Sequence, residues 1–214
     1  MSISYLTYVI VLLELLSAIF AIINYKSYKD SKEKYFLYFL SFTFLADFTG
    51  SLLGDFFGVN SYWLYNLYMV ISFLFFYYWY GSILNEVKHR TVVGLFTIIF
   101  LGVAIWNFVF ESWELYHKYT FVAGAFFTLV CAIFHFWQLL NSDEVLEVKY
   151  KLSFWISTGL LLFNMGMIPF MLLSEYFDFS SNAYYIFIII GLNLILYGCY
   201  SIGFLWTKEK YNRS

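Results

Sequence analysis

Charge is what this chain has least of. Only 12% of its 214 residues are Asp, Glu, Lys or Arg, while 62% are hydrophobic. Soluble domains carry about a quarter charged residues, so a water-facing surface of this size would go largely uncovered. Lipid removes that difficulty, because helices facing it want apolar surface. The net charge of −2 supplies no basic field for nucleic acid. The two cysteines, Cys131 and Cys199, lie in apolar runs without CxxC or metal-ligand spacing and read as core residues. Pro169 is the single proline, which argues against a machine built from many broken helices.

Catalytic signatures are also missing. There is no HExxH, no glycine-rich phosphate loop and no GxSxG elbow. His135 is the one histidine inside an apolar run, so neither bis-histidine haem ligation nor a Ser/His/Asp set can be assembled around it. The last apolar run has no lysine to carry a retinal Schiff base. No cofactor, metal or catalytic residue is therefore expected. An intramembrane lipid enzyme using the Glu14 and Asp47 carboxyls ranks third among the functional readings.

Aromatics, by contrast, make up 26% of the chain, with Phe 27 and Tyr 21. Two explanations stand, AT-rich codon usage and a π-lined cavity. Spread of the excess over every segment favours the first.

Seven apolar runs are long enough to cross a hydrocarbon core, which takes about 20 residues. They cover 4–25, 35–57, 62–84, 91–110, 119–140, 152–175 and 183–206, within a single transmembrane domain spanning 1–214. The first run lacks a basic leader and a small-residue cleavage site, so it is read as a helix rather than a signal peptide. Lys26, Lys29, Lys32 and Lys34 precede helix 2; Lys88 and Arg90 follow helix 3. Lys149 and Lys151 precede helix 6; Lys208, Lys210 and Arg213 form the tail. With seven spans all fall on one side, and Lys118 alone on the other. That asymmetry predicts an outside N-terminus and a cytoplasmic C-terminus. The seven tryptophans fall near predicted helix ends, as an interfacial belt requires. The expected fold is all-α, a polytopic bundle of seven transmembrane helices with the bilayer as its first partner.

Glu14 on helix 1 and Asp47 on helix 2 lie near mid-depth with no Lys or Arg at their level. A charged acid facing lipid costs about 3 kcal/mol, so both should face inward. They are read either as proton- or cation-binding groups or as carboxyls that fasten helices. Asn164 and Asn193 lie at similar depth and complete a candidate midplane ion or polar site. Asp55, Asn66, His135 and Tyr197 are secondary candidates. Asp55 reads as solvated, Asn66 and Asn107 as hydrogen-bonding between helices, and His135 as a satisfied structural histidine. Gly50 and Gly54 form a GxxxG on helix 2 that would let another backbone approach.

Helices 1–3 and 5–7 would share one orientation, with helix 4 as a linker. Ser17-Ala18-Ile19-Phe20 aligns with Cys131-Ala132-Ile133-Phe134. The stripe Glu14, Ser17, Ala18, Ala21 and Asn24 aligns with Thr128, Cys131, Ala132, His135 and Gln138, each set on one helical face. A 3+1+3 parallel repeat would place a solute site at the repeat interface. Chance similarity between two small-residue packing faces is the competing explanation.

The run Tyr62-Trp63-Leu64-Tyr65-Asn66 follows a Gly58-Val59-Asn60 turn and opens an aromatic helix 3. With the basic loop before Tyr35, it resembles a group of small bacterial seven-span inner-membrane proteins. That resemblance covers mainly the first three helices and carries no site residues; it implies a multi-pass protein of the bacterial inner membrane. The 3+1+3 plan is similar to that of sugar and vitamin carriers of the SWEET and PnuC type. The chain departs from the former in having no proline at the matching points of helices 1, 2 and 5.

Two functional classes lead. The first is a carrier or channel for a small solute or cation, with Glu14, Asp47, Asn164 and Asn193 at its site. The second is a non-catalytic membrane sensor or accessory subunit beside a signalling, secretion or phage-defence partner, or paired with a second copy of itself. Its docking feature would be the 141–151 loop, with Asp143, Glu144 and Glu147. Unpaired acids at depth favour the first.

Overall fold

In hydrocarbon a backbone must satisfy its own polar groups, and long apolar runs do so as helices. The computed structural model describes residues 3–142, 145–173 and 183–212, with side chains for 8–142, 145–173 and 186–212. Its long helices are α1 (Ile3–Ile23), α2 (Lys34–Phe57), α3 (Tyr62–Ile83), α4 (Val87–Phe110), α5 (Lys118–Leu140), α6 (Leu152–Leu173) and α7 (Ala183–Trp206). A short α8 (Glu209–Asn212) follows, and 3-10 turns occupy Tyr25–Ser27 and Val145–Tyr150. At 1.5 Å per residue, 21 to 24 residues make about 32–36 Å. A hydrocarbon core is about 30 Å thick.

Local chemistry sets the ends. Gly58 stops α2 in a left-handed conformation (φ 61°), and Val59 N–H bonds back to the Leu53 carbonyl at 3.1 Å. That geometry suits a residue without Cβ. Asn60 then accepts the Tyr62 N–H at 2.9 Å and opens α3. α4 starts four residues earlier than the sequence indicates: Leu84 and Glu86 are extended, and the Glu86 carbonyl accepts the Arg90 N–H. α6 runs through Pro169 without a break.

Among the described residues, α2, α4, α5, α6 and the Ile186–Trp206 part of α7 are long and apolar enough to cross a membrane. The Tyr8–Ile23 part of α1 is apolar but shorter. α3 matches the others in length and carries no charge, but its tyrosines and tryptophans lower its mean hydropathy. Exposure is inverted relative to a water-soluble protein. Leu12, Leu45, Ile98, Ile105, Phe126 and Leu194 are more than half exposed, while Glu14, Thr128, His135 and Asn164 are at most 2% exposed. An apolar exterior with the polar side chains of the spans turned inward is the arrangement of a helical membrane bundle.

Six helices close a ring in the order α1, α2, α3, α5, α6, α7 and back to α1. α4 stands outside it against α3 and α5. α1 docks on α7 through its small-residue stripe: Ser17 Oγ donates to the Tyr197 carbonyl at 2.9 Å and lies 2.9 Å from Ser201 Oγ. Gly159 lets α6 approach α7 closely, because a Cβ there would sit 3.1 Å from the Leu196 carbonyl oxygen. The GxxxG of α2 works differently from the expectation. Gly50 makes room for the Tyr65 ring of α3, and Gly54 faces open space. The close backbone approach belongs to α6 and α7 instead.

One end of the bundle gathers the 24–33 loop, the 84–86 link, the Val145–Tyr150 turn and α8. Asn212 ties α8 to the 24–33 loop and to the start of α6, accepting from Leu152 N–H (3.0 Å) and donating to Thr207 Oγ1 (2.6 Å) and toward the Ser27 carbonyl (3.4 Å). Gln138 on α5 accepts the Asn85 N–H at 2.7 Å. This end carries every described Lys and Arg except Lys118, which lies at the other end beside the 58–61 and 111–117 connections. Arg213 lies outside the described residues. At the same end Glu33 is only 7% exposed; burial pushes its carboxyl above the usual carboxylate range, against the opposing pull of the Ser31 hydroxyl and of Lys151 and Lys32.

The tryptophans divide. Trp63, Trp106, Trp113, Trp137 and Trp206 are exposed. Trp79 departs from the interfacial belt: it is 1% exposed and packed against Phe36 and Tyr80, with ring centroids at 5.0 and 4.8 Å.

Candidate functional site

Four candidate residues from four helices meet at one cavity inside the ring. Glu14 comes from α1, Asp47 from α2, Asn164 from α6 and Asn193 from α7. The cavity has a volume of about 180 Å³, and α4 contributes nothing to its walls. It extends from mid-depth toward the end bearing Tyr116 and the first turns of α3 and α5. Toward the cationic end it stops at packed rings: Phe36, Trp79, Tyr80 and Phe204 are at most 1% exposed.

The acids set its electrostatics. Glu14 is 1% exposed, and its Oε1 accepts the Tyr197 hydroxyl at 2.8 Å. Its carboxyl also lies within hydrogen-bonding reach of Asp47. Two carboxylates in contact repel, so one proton or one cation must sit between them. Glu14 Oε2 has no donor among the described protein atoms. The described lining includes no Lys, Arg or His. Tyr200 also lines the cavity and is 1% exposed, and its hydroxyl has no hydrogen-bond partner among the described atoms.

The amides are less free. Asn164 Nδ2 donates to the Leu160 carbonyl at 2.8 Å and Asn193 Nδ2 to the Ile189 carbonyl at 2.9 Å, each within its own helix. Other amides bond between elements: Asn66 donates to the Leu115 carbonyl at 2.8 Å and accepts His117 N–H at 3.0 Å, and Asn107 donates to Thr120 Oγ1 at 2.9 Å.

Of the secondary candidates, only Tyr197 lines the cavity. Asp55 is exposed and accepts the Tyr8 hydroxyl at 2.9 Å, clasping α1 to α2. Asn66 holds the 111–117 connection. His135 lies beyond the cavity floor, with Nδ1 2.8 Å from Ser157 Oγ, which also accepts the Tyr80 hydroxyl at 3.2 Å. In the 141–151 loop, the Val145–Tyr150 turn packs against α5, α6 and α7; Asp143 and Glu144 lie outside the described residues.

What the sequence did not single out is the wall. Ten of the cavity's eighteen lining residues are Phe or Tyr, among them Phe39, Tyr65, Tyr68 and Phe163. The π-lined cavity weighed against codon usage is therefore present, and the signal for it is partial. Phe39 and Asp47 lie eight residues apart, and Tyr65, Tyr68, Ser72 and Phe76 follow a spacing of three or four that marks one helical face.

No protein-family model, curated protein or solved structure matches this chain. The site therefore stands on its own geometry.

Proposed function

We propose that the chain is a carrier or channel for a small solute or cation, with Glu14 and Asp47 at its binding centre. The observation that carries this reading is the contacting carboxyl pair, which lines a cavity inside the helix ring with no described basic side chain to neutralise it. A pair that only fastened helices would need no cavity beside it.

The membrane frame is part of the proposal. α1 to α7 each cross the bilayer, with the cationic end on the cytoplasmic face and the N-terminus outside. The bacterial inner membrane fits that charge distribution and the resemblance of the first three helices. The cavity then opens toward the exterior, and the rings around Trp79 form the closed inner side. The ring order supports a 3+1+3 repeat. Exchanging α1, α2, α3 with α5, α6, α7 carries every neighbouring pair of the ring onto another neighbouring pair. Sites at such repeat interfaces suit alternating access.

Uptake and charge movement in proteoliposomes test the reading across alkali cations, small amines and neutral solutes. At least one should be transported, and Glu14→Gln or Asp47→Asn should abolish it. Transport at the wild-type rate in both variants, or none by wild type, overturns the proposal.

A further inference from the structure

The carboxyl pair alone would take a proton, a metal ion or an organic cation. The surrounding atoms discriminate. Hard metal ions want six to eight oxygen ligands, or near-ideal octahedral geometry. Among the described residues no group of three His, Cys, Asp or Glu could hold a metal ion. The cavity instead surrounds the two acids with ring faces and edges. Aromatic rings attract alkylammonium groups through their quadrupoles and supply the apolar contact that methyl groups need. A pair of carboxyls sharing one proton bears a single negative charge, which matches one monovalent cation.

Size and unspent polar atoms narrow the class. An apolar cavity of about 150 Å³ accommodates benzene, and this one, at about 180 Å³, is comparable. A ligand of six to eight heavy atoms is therefore the right scale. Two buried polar atoms of its lining residues lack hydrogen-bond partners among the described atoms, Glu14 Oε2 and the Tyr200 hydroxyl. The first accepts a hydrogen bond or an ammonium contact. The second donates to, or accepts from, a polar group on the ligand.

We infer that this cavity binds a small organic monovalent ammonium, its charged nitrogen against Glu14 and Asp47 and its alkyl groups among the rings of Phe39, Tyr68 and Phe163. The inference rests on the carrier reading only for the location of the site, since binding can occur without transport.

The test is calorimetric titration of the purified full chain in lipid nanodiscs. The probes are tetramethylammonium and choline, compared with sodium, calcium and 3,3-dimethylbutanol, the neutral analogue of choline, at constant ionic strength. Tetramethylammonium or choline should bind saturably; sodium, calcium and the alcohol should not. Asp47→Asn should abolish binding, and Phe163→Leu, which keeps an apolar wall but removes the ring, should weaken it about tenfold. Circular dichroism of each variant confirms that it is folded. Absence of ammonium binding by folded wild type, equal binding of the neutral alcohol, or unchanged affinity in Phe163→Leu overturns the ligand class. Transport separates the two readings. Ammonium binding without flux removes the carrier and keeps the ligand, whereas Asp47-dependent flux of sodium or a neutral solute does the reverse.

Discussion

Tyr197 on α7 donates its hydroxyl to Glu14 on α1 at 2.8 Å, joining residues 183 positions apart in the chain. This bond fixes the Glu14 carboxyl in place and spends one of its two oxygens. Tyr197→Phe keeps the ring and removes the donor. It should lower stability by about 1–2 kcal/mol, since a buried acceptor is left bare. Thermal unfolding in detergent measures that cost. Uptake in the variant should persist with weakened affinity, because the carboxyl pair itself remains. An unchanged midpoint would mean the bond contributes nothing.

Glycines on different helices should respond in opposite ways. A Cβ at Gly203 would meet Trp155 Cβ, a rigid neighbour, so Gly203→Ala should destabilise by about 1–3 kcal/mol through overpacking. Gly54 has nothing within 4 Å, and Gly54→Ala should be neutral or stabilising by up to about 1 kcal/mol through helix propensity. Unfolding midpoints of the two variants should move apart. Equal shifts would contradict the packing of α6 on α7.

Glu33 supplies a pH dependence. Burial raises its folded-state affinity for protons above that of the unfolded chain. Its contribution to stability is thus complete below the ordinary carboxylate range and is lost as pH rises through the elevated folded value. Glu33→Gln should flatten this fall and stabilise the protein on the alkaline side. Melting curves across pH, wild type against variant, provide the check; parallel curves would refute it.

The threading is testable by cysteine labelling in sealed vesicles. Lys32→Cys and Lys149→Cys should react with an impermeant reagent from the same side, and Lys118→Cys from the opposite one. Reaction of the first two from different sides would dismantle the orientation.

Much of this architecture is legible because lipid enforces simple rules. Helix positions follow from apolar run lengths, and the inward-facing acids from the cost of charge in hydrocarbon. Glu14, Asp47, Asn164 and Asn193 could be grouped by depth alone, and the ring brings them to one cavity. Depth says nothing about rotation, however. That is why Asn66 and Asp55, plausible by position, serve as connectors. Trp79 was illegible for a related reason, since a ring near a helix end can face lipid or core. The aromatic wall was hidden by its own abundance. Only the placement of α3 between α2 and α5, across the cavity from α6 and α7, distinguishes the phenylalanines and tyrosines that enclose space from those that merely fill it.

α4 touches the ring from outside and lends no side chain to the cavity. Its task is to bring the chain back, so that α5 can set out in the same direction as α1. Substitutions on its outward flank should leave ligand affinity untouched so long as they remain greasy. The cavity is walled by three helices that precede α4 in the chain and three that follow it, and α4 straps α3 to α5 across their outer side.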